Sequence, residues 1–226
     1  LNQNSRFLMD LEGEMESDGN IAYKVTLVAR EDASVEDVAL RTHLASGVGR
    51  YMMGLGEKGG YCPNDLRWKW DVEKNQDAVW VGDVNAGIQI RLYDNKYERP
   101  LNTNFYHQKP LHMPVSWCNA GNGGIDIHNA ADGTRINAYS GKRSVKKGDR
   151  LYYYFNLALT PFRPIDTDKQ WRERYHHNYE FLDGIQKRGA NVINIHHANA
   201  INPFINYPFL RTKEMKAYID GAHARD

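Results

Sequence analysis

The chain has 226 residues with 29 Lys and Arg against 28 Asp and Glu, so it offers no uniform basic field of the kind that grips nucleic acid. At 41% hydrophobic and 12% aromatic, with 14 Tyr and 5 Trp, it lies far from a disordered composition and is long enough for one medium domain and part of another. Cys62 and Cys118 are too few for a disulfide framework or a thiolate zinc site, though they could pair, and no run approaches the ~20 apolar residues of a membrane span.

The chain begins at Leu1 rather than Met, so we expect a mature or trimmed start whose targeting segment has been removed. From Ser5 to about Thr160 the hydrophobic pattern has period two. Tyr23, Val25 and Leu27 alternate with Lys24 and Thr26. Ile88, Ile90 and Leu92 alternate with Gln89 and Arg91, and Leu151, Tyr153, Phe155, Leu157 and Leu159 share one face. Turn signals such as Asp18-Gly19, Gly47 to Gly49, Asp132-Gly133 and Gly148-Asp149 punctuate these runs. Short alternating strands between turns predict an antiparallel β-sandwich or barrel over 1–163. The basic run Lys142 to Arg150, with its Gly-Asp, reads as a solvated hairpin turn.

The regime then changes. Pro161 and Pro164 open a linker, expected over 164–172. A strand is expected within Glu173 to His177 and a helix over Phe181 to Arg188, stopped by Gly189. Val192, Ile193 and Ile195 read as a second, buried strand. Thr212 is expected to cap a last helix with Met215, Tyr218, Ile219 and Ala222 on one stripe. Strand, helix, strand, helix is the rhythm of a parallel sheet. Two such units cannot bury a parallel sheet on both faces. The expectation is therefore a mostly β chain with a C-terminal α/β part: a sandwich, then the first two βα units of an incomplete TIM-type barrel over 173–226.

A sandwich leading into a (β/α) barrel is a common layout among glycoside hydrolases, and several stretches carry a closer likeness. "RYMMGLGEKGGY" (50–61) resembles the Gly-Leu-Gly-Glu strand of sandwich domains that precede some glycosidase barrels. "RWKWD" (67–71), "NQDAVWVGDVNAGIQIRL" (75–92) and "GANVINIHHANAINPFINYPFL" (189–210) resemble glycoside hydrolase family 123-like proteins. The resemblance implies a carbohydrate substrate, one containing N-acetylhexosamine if the family's namesake activity holds, no cofactor, and a secreted, periplasmic or cell-surface bacterial protein. It also implies substrate-assisted hydrolysis. The substrate's acetamido carbonyl attacks the anomeric carbon, while an adjacent Asp-Glu pair orients it and donates the proton. No Asp-Glu dipeptide follows residue 165, so the catalytic residues are expected C-terminal to Asp226 and the fragment alone is expected to be inactive. The residues set no oligomeric state.

In a barrel, ligand contacts gather where strands end. His176 and His177 would end the first strand, His196 and His197 the second. Strand alternation would aim one histidine of each pair at the barrel mouth, where imidazoles hydrogen-bond sugar hydroxyls or else tie strand ends to loops. His177, His196 and His197 are the candidates. Zinc barrels usually show His-x-His, which puts both rings on one face; His-His does not, and no metal site is expected. The long loop from Ala198 to Arg211 carries Asn206 and Tyr207, suited to hydroxyl recognition and stacking, or to packing as a lid. Trp68 and Trp70 would share a face if extended, as a sugar platform or, the reading we favour, as core. The rival function is a non-catalytic carbohydrate-binding sandwich, and a further one is a metal-dependent hydrolase barrel.

Overall fold

Alternating apolar side chains need a second apolar surface, and in the computed structural model they find it between two stacked sheets. The residues described are 2–3, 6–71, 77–96, 113–163, 166–205 and 208–225, in two units, Leu1–Pro164 and Ile165–Asp226. In chain order the first unit has β1 (Asn2–Gln3), β2 (Phe7–Met15), β3 (Asn20–Ala29), β4 (Ala33–Val35), β5 (Ala39–Ala45), β6 (Tyr51–Gly54), β7 (Glu57–Tyr61), β8 (Asp65–Lys69), β9 (Ala78–Asp83) and β10 (Ala86–Tyr93). The one-turn helix α1 (Val115–Cys118) follows, then β11 (Gly124–Ala130), β12 (Gly133–Tyr139), β13 (Arg143–Val145) and β14 (Arg150–Thr160).

The large sheet runs β1-β2-β3-β14-β10-β9-β6-β7, the smaller β5-β12-β11-β8, and β4 pairs with β13; all these pairings are antiparallel. Val79, Val81, Ile90, Leu92 and Tyr153 of the large sheet join Ile125, Ile127, Ile136 and Ala138 of the smaller one in one buried cluster. Period two sorts the faces, and burying each large apolar side chain contributes about 1.5–3 kcal/mol.

Trp117 plugs this core. Its ring meets Tyr153 edge-on at 4.9 Å and its Nε1 donates to the Tyr154 carbonyl at 3.0 Å. The Tyr153 hydroxyl donates to Ser140 Oγ at 3.1 Å, and burial pushes its phenol pKa up. Ser140 Oγ also accepts the Val38 N–H at 3.3 Å, while Asp37 Oδ1 accepts the Ser140 and Gly141 N–H groups. Ser140→Ala would leave one buried donor, the Tyr153 hydroxyl, and one half-buried donor, the Val38 N–H, without their acceptor. We expect it to cost about 1–2 kcal/mol, measured as a lowered urea midpoint with unchanged slope.

The Gly-Leu-Gly-Glu stretch is the turn joining β6 to β7. Leu55 sits there at φ +54° and is 1% exposed, flanked by Gly54 at φ +114° and Gly56 at φ +81°. The basic run is not the expected solvated hairpin: Arg143–Val145 forms β13, which pairs with β4 and buries Val145, and the turn is confined to the residues before β14, with Gly148 at φ +92° and Lys146 Nζ 2.9 Å from Asp32 Oδ2. Cys62 and Cys118 are free thiols.

Trp68 and Trp70 do share a face, but it is the core face. They are 6% and 8% exposed and meet edge-on at 4.9 Å. Neither has a ring face open to a sugar, which corrects the platform reading.

The second unit has α2 (Thr167–Arg172), β15 (Tyr175–His176), α3 (Leu182–Lys187), β16 (Val192–Ile193), a 3₁₀ turn (Pro208–Arg211) and α4 (Thr212–His223). β15 and β16 pair in parallel, Tyr175 opposite Val192 and His176 opposite Ile193, as the βα rhythm requires. Part of the expected linker is helical instead. The Asp166 carboxylate accepts the Lys169 N–H at 2.9 Å, an N-cap that starts α2. Gly189, at φ +78°, ends the α3 segment as expected. Thr212 is inside α4 rather than capping it; Arg211 holds the cap position without a side-chain hydrogen bond. Among the described residues no helix is long and apolar enough to cross a membrane.

Candidate functional site

Three imidazoles meet where the two parallel strands end. The His177 and His196 ring centroids are 5.0 Å apart, and those of His196 and His197 are 4.0 Å apart. Strand alternation would have sent His196 and His197 to opposite sides. It does not apply, because β16 stops at Ile193 and the following backbone turns, with Ala198 at φ +66°. Both histidines of the second pair therefore join the cluster. From the first pair only His177 does. His176 Nε2 instead stands 3.0 Å from Glu180 Oε2, which also meets the Arg188 guanidinium.

A residue that sequence reasoning missed holds this geometry. Asn199 Nδ2 donates to the His196 carbonyl at 2.6 Å, while its Oδ1 accepts the N–H groups of Ile201 and Asn202 at 3.0 and 2.8 Å. One side chain thus ties the histidine backbone to the turn that follows. The signal was present as an Asn starting an Asx turn beside an Asn-Pro pair. Ile201, 4% exposed, anchors the turn's far side.

His196 is exposed and His197 half-buried, and His196 Nδ1 lies 3.3 Å from the His197 carbonyl, which leaves Nε2 as the nitrogen for a ligand. A neutral imidazole donates at one nitrogen and accepts at the other, a match for a hydroxyl that does both. Among the described residues, no three His, Cys, Asp or Glu side chains are arranged as metal ligands. Asn206 and Tyr207 lie outside the described residues, and Trp68 and Trp70 belong to the sandwich core. A cleft of about 280 Å³ lies between α3, α4 and β16, lined by Leu182, Ile185, Val192, Ile193, Tyr218 and Ile219 among others. Its apolar lining suits packing more than sugar recognition.

A β-sandwich followed by parallel βα units, with polar rings where the strands end, is the layout of a sandwich-and-barrel carbohydrate enzyme. Comparison with known families is specific. Residues 1–161 match the third domain of glycoside hydrolase 123, and residues 166–226 match part of its TIM-barrel domain. The chain belongs to the glycoside hydrolase 123 family. No curated protein matches it.

Proposed function

We propose that this chain is part of a glycosidase that cleaves a polysaccharide or glycan at N-acetylhexosamine residues, and that His177, His196 and His197 hold substrate hydroxyls at the barrel mouth. The observation that carries the reading is the gathering of three imidazoles at the carboxyl ends of two parallel strands, where barrel enzymes place their ligand contacts. Asn206 and Tyr207, on the loop that follows, would extend this contact. The chemistry is substrate-assisted, with the acetamido carbonyl as nucleophile. The adjacent Asp-Glu pair it requires would come from later strands of the barrel.

The unit's surface supports a larger barrel. Phe181 is 90% exposed, Trp171 75%, Phe209 63% and Phe204 62%, more apolar surface than so small a unit leaves open on its own account. We place the enzyme outside the bacterial cytoplasm, secreted, periplasmic or on the cell surface, where such polymers are met.

The test is the coding sequence past the Asp226 codon. Further βα units with an Asp-Glu pair at a strand end are expected; a stop codon directly after it would overturn the reading. In the complete product, His196→Ala should raise KM for an aryl N-acetylhexosaminide about three- to tenfold, the loss of one hydrogen bond to a hydroxyl. An unchanged KM would remove the histidines from the substrate site.

A further inference from the structure

The outer face of the large sheet carries features that the barrel reading does not use. Tyr61, Tyr51, Gly82, Gly87 and Thr160 lie side by side across β7, β6, β9, β10 and β14 in one register row. Four inter-strand gaps of about 4.8 Å make this row about 19 Å long. At one end the Tyr51 and Tyr61 rings stack at 5.2 Å, Tyr61 is 73% exposed, and the Arg50 guanidinium lies 5.2 Å from the Tyr51 centroid.

The rest of the row is floored by glycine for a reason. Trp80, one row along on β9, donates from Nε1 to Thr160 Oγ1 at 2.7 Å, so its indole reaches across β10 to β14. A Cβ on Gly82 or Gly87 would come within 2.7 or 2.9 Å of the ring's Cζ2. The Cζ2 and Cε2 side of the indole therefore packs on the glycines of β9 and β10, where a larger residue would collide with it. Trp80 is half-buried, where Trp68 and Trp70 are buried.

Beside the indole is a small polar pocket of about 70 Å³, lined by Asn20, Gln89, Arg91, Asn156 and Ala158. Gln89 is Trp80's cross-strand partner and Asn156 is Arg91's. The lining holds three amides and a guanidinium, with no carboxylate. Asn156 Oδ1 and Arg91 Nε are buried and have no hydrogen-bond partner among the described residues, although Asp77 Oδ1 is 3.8 Å from that Nε. Arg91 is ion-paired with Asp77, so the acceptor left for a ligand's hydroxyl in this pocket is Asn156 Oδ1.

We propose that this face is a saccharide-binding site, separate from the barrel histidines, that takes a neutral, hydroxyl-rich oligosaccharide laid across the strands. Flat aromatic surface accepts the apolar C–H face of a pyranose, and amides both donate to and accept from its hydroxyls. The length of the row suits a short chain of sugars, and the pairing of each arginine with a carboxylate, Arg91 with Asp77 and Arg50 near Asp83, suits an uncharged one. The site would hold polymer without cleaving it.

The test is calorimetric titration of the 226-residue chain with cellohexaose, xylohexaose, mannohexaose and chitohexaose, one at a time. At least one should bind with a Kd of about 1 mM or tighter. Trp80→Ala and Gln89→Ala should each weaken that binding at least about fivefold, and His196→Ala should leave it unchanged. Because Trp80 also packs on the sheet, Tyr61→Ala on the open rim is the companion variant, expected to weaken binding with circular dichroism unaltered. No binding by any of the four at about 10 mM would overturn the inference. So would binding indifferent to Tyr61→Ala and Gln89→Ala. Binding abolished by His196→Ala would also overturn it, while leaving the glycosidase reading standing.

Discussion

Trp117→Ala should destabilise the sandwich by about 3–5 kcal/mol, a large part of the roughly 5–15 kcal/mol that holds a domain folded. Trp117 is 1% exposed, packs edge-on against Tyr153 and donates its indole N–H to the backbone of β14. Truncation removes the apolar contacts and the donor together and opens a cavity between rigid sheets that cannot collapse around it. Urea unfolding followed by far-UV circular dichroism should show the midpoint falling by roughly 1–3 M. Trp171→Ala is the control, because Trp171 is 75% exposed and surface truncations usually stay within about 0.5 kcal/mol. Equal effects in the two variants would refute the assignment of Trp117 to the core.

Gly54→Ala should be nearly as severe, at about 2–5 kcal/mol. The residue sits at φ +114°, a conformation that L side chains rarely adopt, and an added Cβ would stand 2.3 Å from the Ala78 carbonyl oxygen. Backbone strain of about 1–3 kcal/mol and an overpacking cost of similar size combine here, since the neighbour is backbone and cannot swing aside. Gly60 belongs to the same hairpin, yet a Cβ there meets nothing within 4 Å and its φ is not positive. Gly60→Ala is therefore expected to change stability by less than about 1 kcal/mol. If both variants lose the same stability, the conformation assigned to the Gly-Leu-Gly-Glu turn is wrong.

The strands were the most legible part of the sequence, because a two-residue period is the direct imprint of one buried face. The alternating runs around Val25, Ile90 and Tyr153 fall inside β3, β10 and β14. Partition between the sheets was not legible, since pairing depends on contacts far apart in the chain. Spacing showed that Trp68 and Trp70 share a face and could not show which face; Trp80 gave no such pattern, its position being defined by Gly82 and Gly87 on two different strands. At the candidate site the residue types were readable and their geometry was not. His197 joins His196 because β16 ends early, a fact fixed by the turn around Asn199 rather than by strand periodicity. Within the linker expected at 164–172, helix α2 starts for a local reason, the cap supplied by Asp166.

The position of β14 has a consequence for how the protein is made. This last strand of the sandwich lies in the middle of the large sheet, with Arg150 opposite Val28 and Tyr154 opposite Tyr93. While a ribosome adds residues at about 5–20 per second, every earlier strand of both sheets emerges before the one that joins them. Until then β1–β3 and β10-β9-β6-β7 are two half-sheets, each with an unpaired edge where β14 belongs. A nascent chain stalled before Arg150 is thus not a sandwich short of its rim, but two sticky fragments waiting for a spine.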